Sequence, residues 1–223
     1  MKIALKIDFV SDVSCPWCAI GLCALELALK NLSEEITVDL HFQPFELNPG
    51  MPPEGQDITE HLTQKYGSTA EQQAQSREAI RLRGAGLGFV FRKEGRNRIY
   101  NTFDAHRLLH WADLSTTQPS GLQRALKKAL LEAYFTHGES PASHDVLLRV
   151  VGKVGLDVNR AREILAGDQY ADEVRELERF YLDAGIHSVP AVIINDSHLI
   201  SGGQPVEIFE QTLRRIASGK VED

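Results

Sequence analysis

Residues 12–18 read Asp12-Val13-Ser14-Cys15-Pro16-Trp17-Cys18, so two cysteines stand with two residues between them. Before them, residues 3–9 place an apolar side chain at every second position, which is the period of a β-strand. Behind them, residues 16–31 are apolar nearly all round, which predicts a helix buried on most sides. Residues 38–42 alternate again, and a parallel return strand needs such a crossover helix. The cysteines therefore lie at the strand-to-helix junction of a predicted βαβ unit.

The position of the two cysteines predicts thiol chemistry. Pro16 favours the first helical position, which makes Cys15 the capping residue of the helix. Free N–H groups of Trp17 and Cys18, together with the helix dipole, are expected to stabilise a Cys15 thiolate. The thiolate is the nucleophile in disulfide exchange, and Cys18 lies one turn further in. We predict that Cys15 attacks a disulfide and that Cys18 resolves the mixed disulfide.

The alternative to thiol chemistry is that the two cysteines form half of a zinc site. A zinc site needs about four ligands, usually from a second cysteine pair or from paired histidines. Only Cys23 remains, and no second pair of this spacing exists. His106 and His110 are spaced to share a helix face, but nothing in the sequence joins them to the cysteines. We predict no metal site and interpret Cys23 as an apolar filler.

The rest of the chain predicts a helical middle and a return to strand. Asp57 followed by Glu60 resembles a helix-capping arrangement, and glycines at 84–88 end a helix. Further helices are predicted over residues 102–113, 122–136, 143–154, 159–165 and 170–184. The last section predicts strands over 189–194 and 198–201 and a helix over 205–217. The chain thus reads as an α/β fold, βαβ…ββα, whose two ends form one sheet.

Size and composition limit the classes of function. The 223 residues are 43% hydrophobic and 25% charged, which excludes wholesale disorder. Lys and Arg number 24 against 31 Asp and Glu, and the net charge of −7 argues against nucleic acid or an anionic membrane as partner. No apolar run approaches the roughly 18 residues of a membrane helix. Because the start shows no export signal, we expect a cytoplasmic protein whose thiols are kept mostly reduced.

Six short motifs, taken in order, resemble a known family. They are residues 12–18, Phe45-Glu46-Leu47-Asn48-Pro49, Asn101-Thr102-Phe103-Asp104-Ala105-His106-Arg107, Ala133-Tyr134-Phe135, Ser188-Val189-Pro190 and Ser201-Gly202-Gly203-Gln204. With them the chain resembles DsbA-type thioredoxin-fold oxidoreductases over nearly its whole length. More narrowly, it resembles the leaderless branch of FrnE-type proteins and 2-hydroxychromene-2-carboxylate isomerases. The family often has glycine where this chain has Ser188, which is expected to crowd the substrate groove.

The resemblance implies a thioredoxin fold with a large α-helical insertion. The fold would occupy residues 1–56 and 185–223, and the insertion residues 57–184. In a thioredoxin-type site Pro190 is cis and lies beside the cysteine pair, which leaves the Val189 backbone free to pair with an extended substrate.

The resemblance also implies further site residues. Pro16 and Trp17 would border the substrate, and Asn101 and His106 would face the same groove. The alternative for Asn101 is a helix cap. Asp12 either assists proton transfer to Cys18 or is a loop carboxylate.

We therefore predict a thiol–disulfide oxidoreductase that acts on protein or small-molecule disulfides. No cofactor is required, and glutathione is expected as an optional co-substrate. Family isomerases resemble this chain but carry serine at the position of Cys15 and use glutathione. Both cysteines are present here, which argues against isomerase as the main activity. A glutathione-dependent isomerase or transferase is therefore the first alternative, and a non-catalytic binding or chaperone module is the second. The oligomeric state stays open, with a homodimer as one option.

A basic stretch stands out in this acidic chain. It contains Arg77, Arg81, Arg83, Arg92, Lys93, Arg96 and Arg98. Such a stretch either attracts an anionic ligand, such as glutathione or an acidic partner, or forms a solvated charged face.

Overall fold

The computed structural model describes residues 2–114 and 121–219. The strands are β1 Ile3–Ser11, β2 Ile36–Pro44, β3 Gln56–Asp57, β4 Arg98–Ile99, β5 Ala191–Ile194 and β6 His198–Ser201. The helices are α1 Pro16–Asn31, α2 Ile58–Tyr66, α3 Ala70–Gly86, α4 Phe103–Leu114, α5 Leu122–Phe135, α6 His144–Lys153, α7 Val158–Ala166, α8 Ala171–Asp183 and α9 Val206–Ala217.

The main sheet joins the two ends of the chain. Its strand order is β2-β1-β5-β6, with β1 parallel to β2 and antiparallel to β5, and with β5 antiparallel to β6. The register places Phe9 of β1 opposite Phe42 of β2 and opposite Val192 of β5. This is the thioredoxin fold βαβ…ββα, and the sequence analysis is confirmed on the fold class.

One face of the sheet is covered by α1 and α9, which pack against each other. Alternate residues of β1, namely Leu5, Ile7 and Phe9, share an apolar cluster with residues of both helices, and both Cys15 and Cys18 belong to the same cluster. The end of α1 that carries the two cysteines therefore packs against the main core.

The opposite face of the sheet carries α8. Tyr181 of α8 packs with Val10 and Ala191, which lie on neighbouring strands. This helix falls inside the stretch 57–184 that the sequence analysis assigns to the insertion, yet α8 contacts β2 of the main sheet. The division of the chain into three segments stays a prediction.

The helices α4 to α7 form a second apolar core. Leu108 of α4, Leu126 and Leu130 of α5 and Val150 of α6 belong to it, and Val13 reaches it from the loop after β1. Gln123 of α5 fixes this core to the sheet, because its side chain accepts from the backbone N–H of Phe42 at 2.9 Å and donates to the Phe42 carbonyl at 3.0 Å.

The chain also contains two short strands that the sequence analysis does not predict. Gln56–Asp57 pairs antiparallel with Arg98–Ile99. Helix bounds elsewhere agree with the periodicity to within about two residues, and α1 begins and ends where it is predicted. Within the described residues, no helix is both long and apolar enough to cross a membrane.

Candidate active site

Cys15 and Cys18 lie at the junction of β1 and α1. Cys15 is the residue before the helix, Pro16 opens its first turn, and Cys18 faces inward with no exposed surface. Cys15 retains 4% of its surface. Both residues are free thiols in this structure. Of these two residues, only Cys15 retains exposed surface.

The predicted capping bonds to the Cys15 sulfur are wrong. The Cys15 side chain accepts no cap hydrogen bond, because the N–H groups of Cys18 and Ala19 donate to the Cys15 carbonyl oxygen, at 3.1 and 3.4 Å. The Cys15 thiol instead donates to the carbonyl oxygen of Val189, with 3.6 Å between sulfur and oxygen. The reactive sulfur therefore points at the loop before β5.

The pKa values of the two thiols shift in opposite directions. The Cys18 side chain, by hydrogen bonding to Cys15, is the largest effect that lowers the pKa of Cys15, and burial opposes it. The dipole of the nearby Cys18 backbone N–H, which bonds to the Cys15 carbonyl and not to the sulfur, lowers the pKa of Cys15 further. The negative charge of Asp12 raises this pKa, and the positive charge of Arg96 lowers it. Burial raises the pKa of Cys18 well above its usual value, and neighbouring Cys15 adds to this rise. The outer sulfur is thus the easier thiolate.

The Val189–Pro190 peptide bond is cis, and it lies beside the cysteines. Two glycines permit this approach. A Cβ atom on Gly21 of α1 would lie 3.0 Å from Pro190 Cγ and 3.3 Å from the Cα of Gly203, and a Cβ atom on Gly203 would lie 3.0 Å from the Trp17 carbonyl oxygen. Pro190 is buried, whereas Val189, Pro16 and Trp17 are half-buried. These last three therefore keep surface for a substrate.

Asp12 organises the loop that carries Cys15. Its carboxylate accepts from the Ser14 backbone N–H at 2.9 Å, from the Ser14 hydroxyl at 2.8 Å and from the Leu47 N–H at 2.8 Å. Burial would raise the pKa of Asp12, but the adjacent His106 and these N–H donors hold the pKa at about 2. A carboxylate with so low a pKa is a poor proton carrier at neutral pH. The geometry favours the loop carboxylate over the proton-transfer role.

His106 lies next to Asp12. Its predicted contact with substrate needs correction. Only 2% of its surface is exposed, so its imidazole is closed off from the groove. Its Nε2 atom lies 3.7 Å from Asp12 Oδ1, which suits an ion pair but is too long for a hydrogen bond. The same atom has no hydrogen-bond partner among the described residues. His106 thus acts on the site through Asp12.

Asn101 builds the turn into α4. Its Oδ1 accepts from the Phe103 N–H at 2.9 Å, and its Nδ2 donates to the Met51 carbonyl at 3.3 Å. These bonds match the alternative of a helix cap and leave no polar atom of its side chain committed to the cysteine pair. Its contact with substrate stays a prediction.

Arg96 ties the insertion to the active-site loop. Its Nη1 donates to the carbonyl oxygen of Ser14, and its guanidinium lies 5.6 Å from the ring centre of Tyr134 and 5.4 Å from that of Phe135. Arg83 similarly covers the ring of Trp17 at 5.5 Å. Two members of the basic stretch therefore border the cysteine pair.

Lys127 is the site residue that the sequence analysis missed. It is fully buried on α5, and its Nζ atom has no hydrogen-bond partner among the described residues. Burial lowers the pKa of Lys127 to about 8, while the negative charges of Cys18, Asp12 and Cys15 pull it upward. A signal was present, since Lys127 falls on the apolar stripe of α5, next to Leu126 and one turn before Leu130 and Leu131.

Cys23 stands apart from the pair. It is half-buried on α1, and burial is the main effect that raises its pKa to about 11. It remains a thiol at neutral pH. Among the described residues, no three side chains of His, Cys, Asp or Glu are grouped as metal ligands would be.

Comparison with known proteins places this geometry in a family. The model of the DSBA-like thioredoxin domain matches residues 6–214. The chain is 32% identical to a crystal structure described as a probable DsbA oxidoreductase from Streptomyces coelicolor. The match covers 98% of this chain and 92% of that chain, with a TM-score of 0.87.

More distant structures share the fold. A 2-hydroxychromene-2-carboxylate isomerase is 11% identical with a TM-score of 0.71, and the match covers 96% of this chain and 97% of that chain. The cytosolic disulfide reductase DsbM of Pseudomonas aeruginosa, solved with GSH, is 15% identical with a TM-score of 0.65. That match covers 96% of this chain and 99% of DsbM.

Proposed function

Because the chain belongs to the DSBA-like thioredoxin domain family, we propose that it is a thiol–disulfide oxidoreductase with Cys15 and Cys18 as its redox pair. The observation that carries the proposal is the division between the two thiols. Cys15 is the outer sulfur and its pKa is lowered, whereas Cys18 is fully buried and its pKa is raised. A nucleophile followed by a protected resolving thiol is what disulfide exchange requires.

The reaction proceeds in two exchanges. The Cys15 thiolate attacks one sulfur of the substrate disulfide, which breaks the substrate S–S bond, forms a mixed disulfide and releases the first thiolate. Cys18 then loses its proton and attacks the Cys15 sulfur, which forms the Cys15–Cys18 disulfide and releases the second thiol. Two electrons pass from the protein dithiol to the substrate. The reverse sequence would oxidise a substrate dithiol.

Val189 and Pro190 would hold the substrate chain. The Val189 carbonyl lies within 3.6 Å of Cys15 Sγ, and the residue is half-buried beside the groove. An extended segment that pairs with the Val189 backbone would bring its own sulfur next to Cys15. Pro16 and Trp17 border the same groove with their exposed surface.

Lys127 would receive the proton that Cys18 must lose. With a pKa of about 8, about a tenth of its side chains are neutral amines at pH 7. An amine that takes the proton becomes an ammonium, whose charge lowers the pKa of Cys18. The same proton can return to the sulfur when the Cys15–Cys18 disulfide is reduced. Lys127 is therefore proposed as the acid–base partner of the buried thiol.

The compartment decides the direction of electron flow. In a cytosol with a glutathione reduction potential of about −240 mV, a cysteine pair whose reduction potential lies between those of DsbA and glutaredoxins is mostly reduced. We propose that the protein acts there as a reductase on protein or small-molecule disulfides. Glutathione, the thiol of that compartment, would return the two electrons to the Cys15–Cys18 disulfide.

A redox titration tests the proposal. The protein is equilibrated in buffers of reduced and oxidised glutathione, trapped by alkylation, and followed by Trp17 fluorescence. We expect a reversible two-electron transition that disappears in Cys15→Ser and in Cys18→Ser but persists in Cys23→Ser. Failure to form the Cys15–Cys18 disulfide overturns the proposal. Glutathione-dependent turnover that survives Cys18→Ser would favour the isomerase alternative.

A further inference from the structure

A cavity of about 100 Å³ opens beside the cysteine pair. It lies between α2, α3 and the loop before β4, and Pro16 forms part of its wall. Much of the remaining wall is apolar and is contributed by Ile58, Leu62, Ile80, Phe91 and Phe135. The cavity is thus suited to a group with apolar surface. Pro16, the residue after Cys15 in the chain, is the part of the wall nearest in sequence to the cysteine pair.

Four arginines line the same cavity, in a chain of net charge −7. Arg77 and Arg81 come from α3, and Arg92 and Arg96 come from the loop before β4. Residues from two separate segments therefore bring like charges together, which is unfavourable unless an anion compensates them. The basic stretch of the sequence is, for these four members, the wall of a cavity.

Carboxylates compensate only part of this charge. Arg81 forms a fork with Glu78, at 2.8 and 2.7 Å, and Arg92 Nε lies 3.7 Å from Glu94. Arg77 and Arg96 have no carboxylate partner within residues 2–114 and 121–219. Both guanidiniums thus belong to the wall of the cavity without a carboxylate counter-ion, Arg77 exposed and Arg96 half-buried on the Ser14 carbonyl. A carboxylate is the group that a guanidinium binds best in such surroundings.

We propose that this cavity binds the carboxylate-bearing arm of a small disulfide substrate. The inference rests on the proposed redox function and adds the chemistry of the substrate. Val189 and Pro190 do not line the cavity, so the disulfide has two separate contacts. One arm lies along the Val189 backbone, and the acidic arm passes Pro16 toward Arg77. The S–S bond between the two arms then lies at Cys15.

A single-turnover experiment tests the charge of that arm. Reduced protein is mixed with dithiobis(nitrobenzoate), an aromatic disulfide with two carboxylates, and separately with dithiodipyridine, an uncharged aromatic disulfide. In both reactions the Cys15 thiolate displaces a coloured thiolate and Cys18 then displaces the second, so no further reductant is needed. The rate of colour release gives one second-order rate constant for each disulfide.

The Arg77→Gln variant is expected to separate the two substrates. Its rate constant with dithiobis(nitrobenzoate) should fall about tenfold, while the constant with dithiodipyridine should stay within about twofold of wild type. Arg215→Gln, on α9 and outside the cavity, removes the same net charge and should change neither constant by more than about twofold. An equal loss with both disulfides, no loss with either, or the same selective loss in Arg215→Gln overturns the proposal.

A binding measurement separates the cavity from the redox function. Nitrobenzoate has the carboxylate and ring of the acidic arm but no disulfide, so its binding to Cys15→Ser protein is measured without any thiol exchange. Saturable binding that weakens in the Cys15→Ser, Arg77→Gln double variant supports the site even if the cysteine pair proves redox-inactive. Absence of binding, or binding that is indifferent to Arg77, overturns the site even if the redox titration succeeds.

Discussion

The sheet half and the helical half of the molecule contribute different chemistry to one site. The sheet half provides both sulfurs and the Val189–Pro190 loop, all within a core of aliphatic and aromatic side chains. The helical half provides the charges around them, namely Lys127 from α5, His106 from α4 and Arg96 from the loop before β4. The comparison teaches that the pKa values of the two thiols depend on charges from the helical half, so they can change while the cysteine pair and its core stay the same.

Removing the Cys15 sulfur should give the largest effect, a loss of activity that comes from the sheet half alone. Cys15→Ser is expected to reduce disulfide turnover to the background rate, because no other thiol is reactive and accessible. Cys18→Ser should instead accumulate a mixed disulfide on Cys15, detectable by mass spectrometry. Cys23→Ser serves as the control and should retain wild-type turnover. Turnover that persists in Cys15→Ser contradicts the assignment.

Lys127→Met should remove the main contribution of the helical half while both sulfurs remain in place. We expect resolution by Cys18 to slow about 10- to 100-fold, with mixed-disulfide formation by Cys15 little changed. Stopped-flow measurement of the two steps checks this split. Lys128→Met is the matched control, because Lys128 is exposed and pairs with Glu26 at 2.8 Å. A Lys127→Met variant that slows both steps equally would point to a packing role instead.

The same variant should be more stable than wild type at neutral pH. The pKa of Lys127 drops from 10.5 to about 8 on folding, so below pH 8 its buried charge costs about 3 kcal/mol of folding free energy. Between pH 8 and 10.5 the unfolded chain binds the extra proton, and this cost fades as the pH rises. Urea unfolding of wild type and Lys127→Met at pH 7 and pH 10 checks this. A difference in unfolding free energy that does not shrink at pH 10 would contradict it.

Asp12→Asn should produce a smaller effect with the opposite pH dependence. Because the pKa of Asp12 falls from 3.8 to about 2 on folding, its carboxylate stabilises the native state by about 2 kcal/mol above pH 4. That contribution is lost as the pH falls through 2. The stability difference between wild type and variant, measured by urea unfolding, should therefore shrink toward pH 2. Exposed Asp172→Asn should show no such difference.

Arg96→Gln should give the smallest of these effects, because it removes a single charge of the helical half from the surroundings of Cys15. The positive charge of Arg96 is one of the lesser contributions that lower the pKa of Cys15, so its removal should raise that pKa. Iodoacetamide alkylation of Cys15 below neutral pH should slow about twofold. Arg98→Gln is the control, since that side chain bonds to the carbonyls of Glu54 and Gly55. An equal slowing in the control would assign the effect to loop structure.

Local pattern predicted most of the sheet half. The helix α1 begins and ends where the sequence predicts, because Pro16 marks its start and its apolar surface continues to Asn31. The junction of strand and helix likewise predicted which cysteine is outer. The predicted cap bonds to the Cys15 sulfur do not form, because the Cys18 N–H donates to the Cys15 carbonyl oxygen. Sequence pattern does not tell which of these two acceptors, sulfur or carbonyl oxygen, the N–H will choose.

Contacts between distant segments were beyond local pattern. β3 and β4 have two residues each, and such short runs carry no period. His106 was predicted to face the substrate. It lies next to Asp12 instead, because α4 packs against the loop that carries Asp12. Lys127 falls on the apolar stripe of α5, which indicates burial, but the period of α5 does not say that this stripe meets the helix of the cysteine pair. The charges of the site are thus set by packing, which sequence period does not specify.

The bond between Gln123 and Phe42 also bears on self-association. A strand at the border of a sheet offers unpaired N–H and C=O groups to which another chain can add, and this is a common start of aggregation. On β2 the amide of Gln123 already occupies both backbone groups of Phe42. A second copy could pair its own strand with Phe42 only by displacing the Gln123 side chain. The other border strand, β6, is four residues long, too short to template an extended pairing.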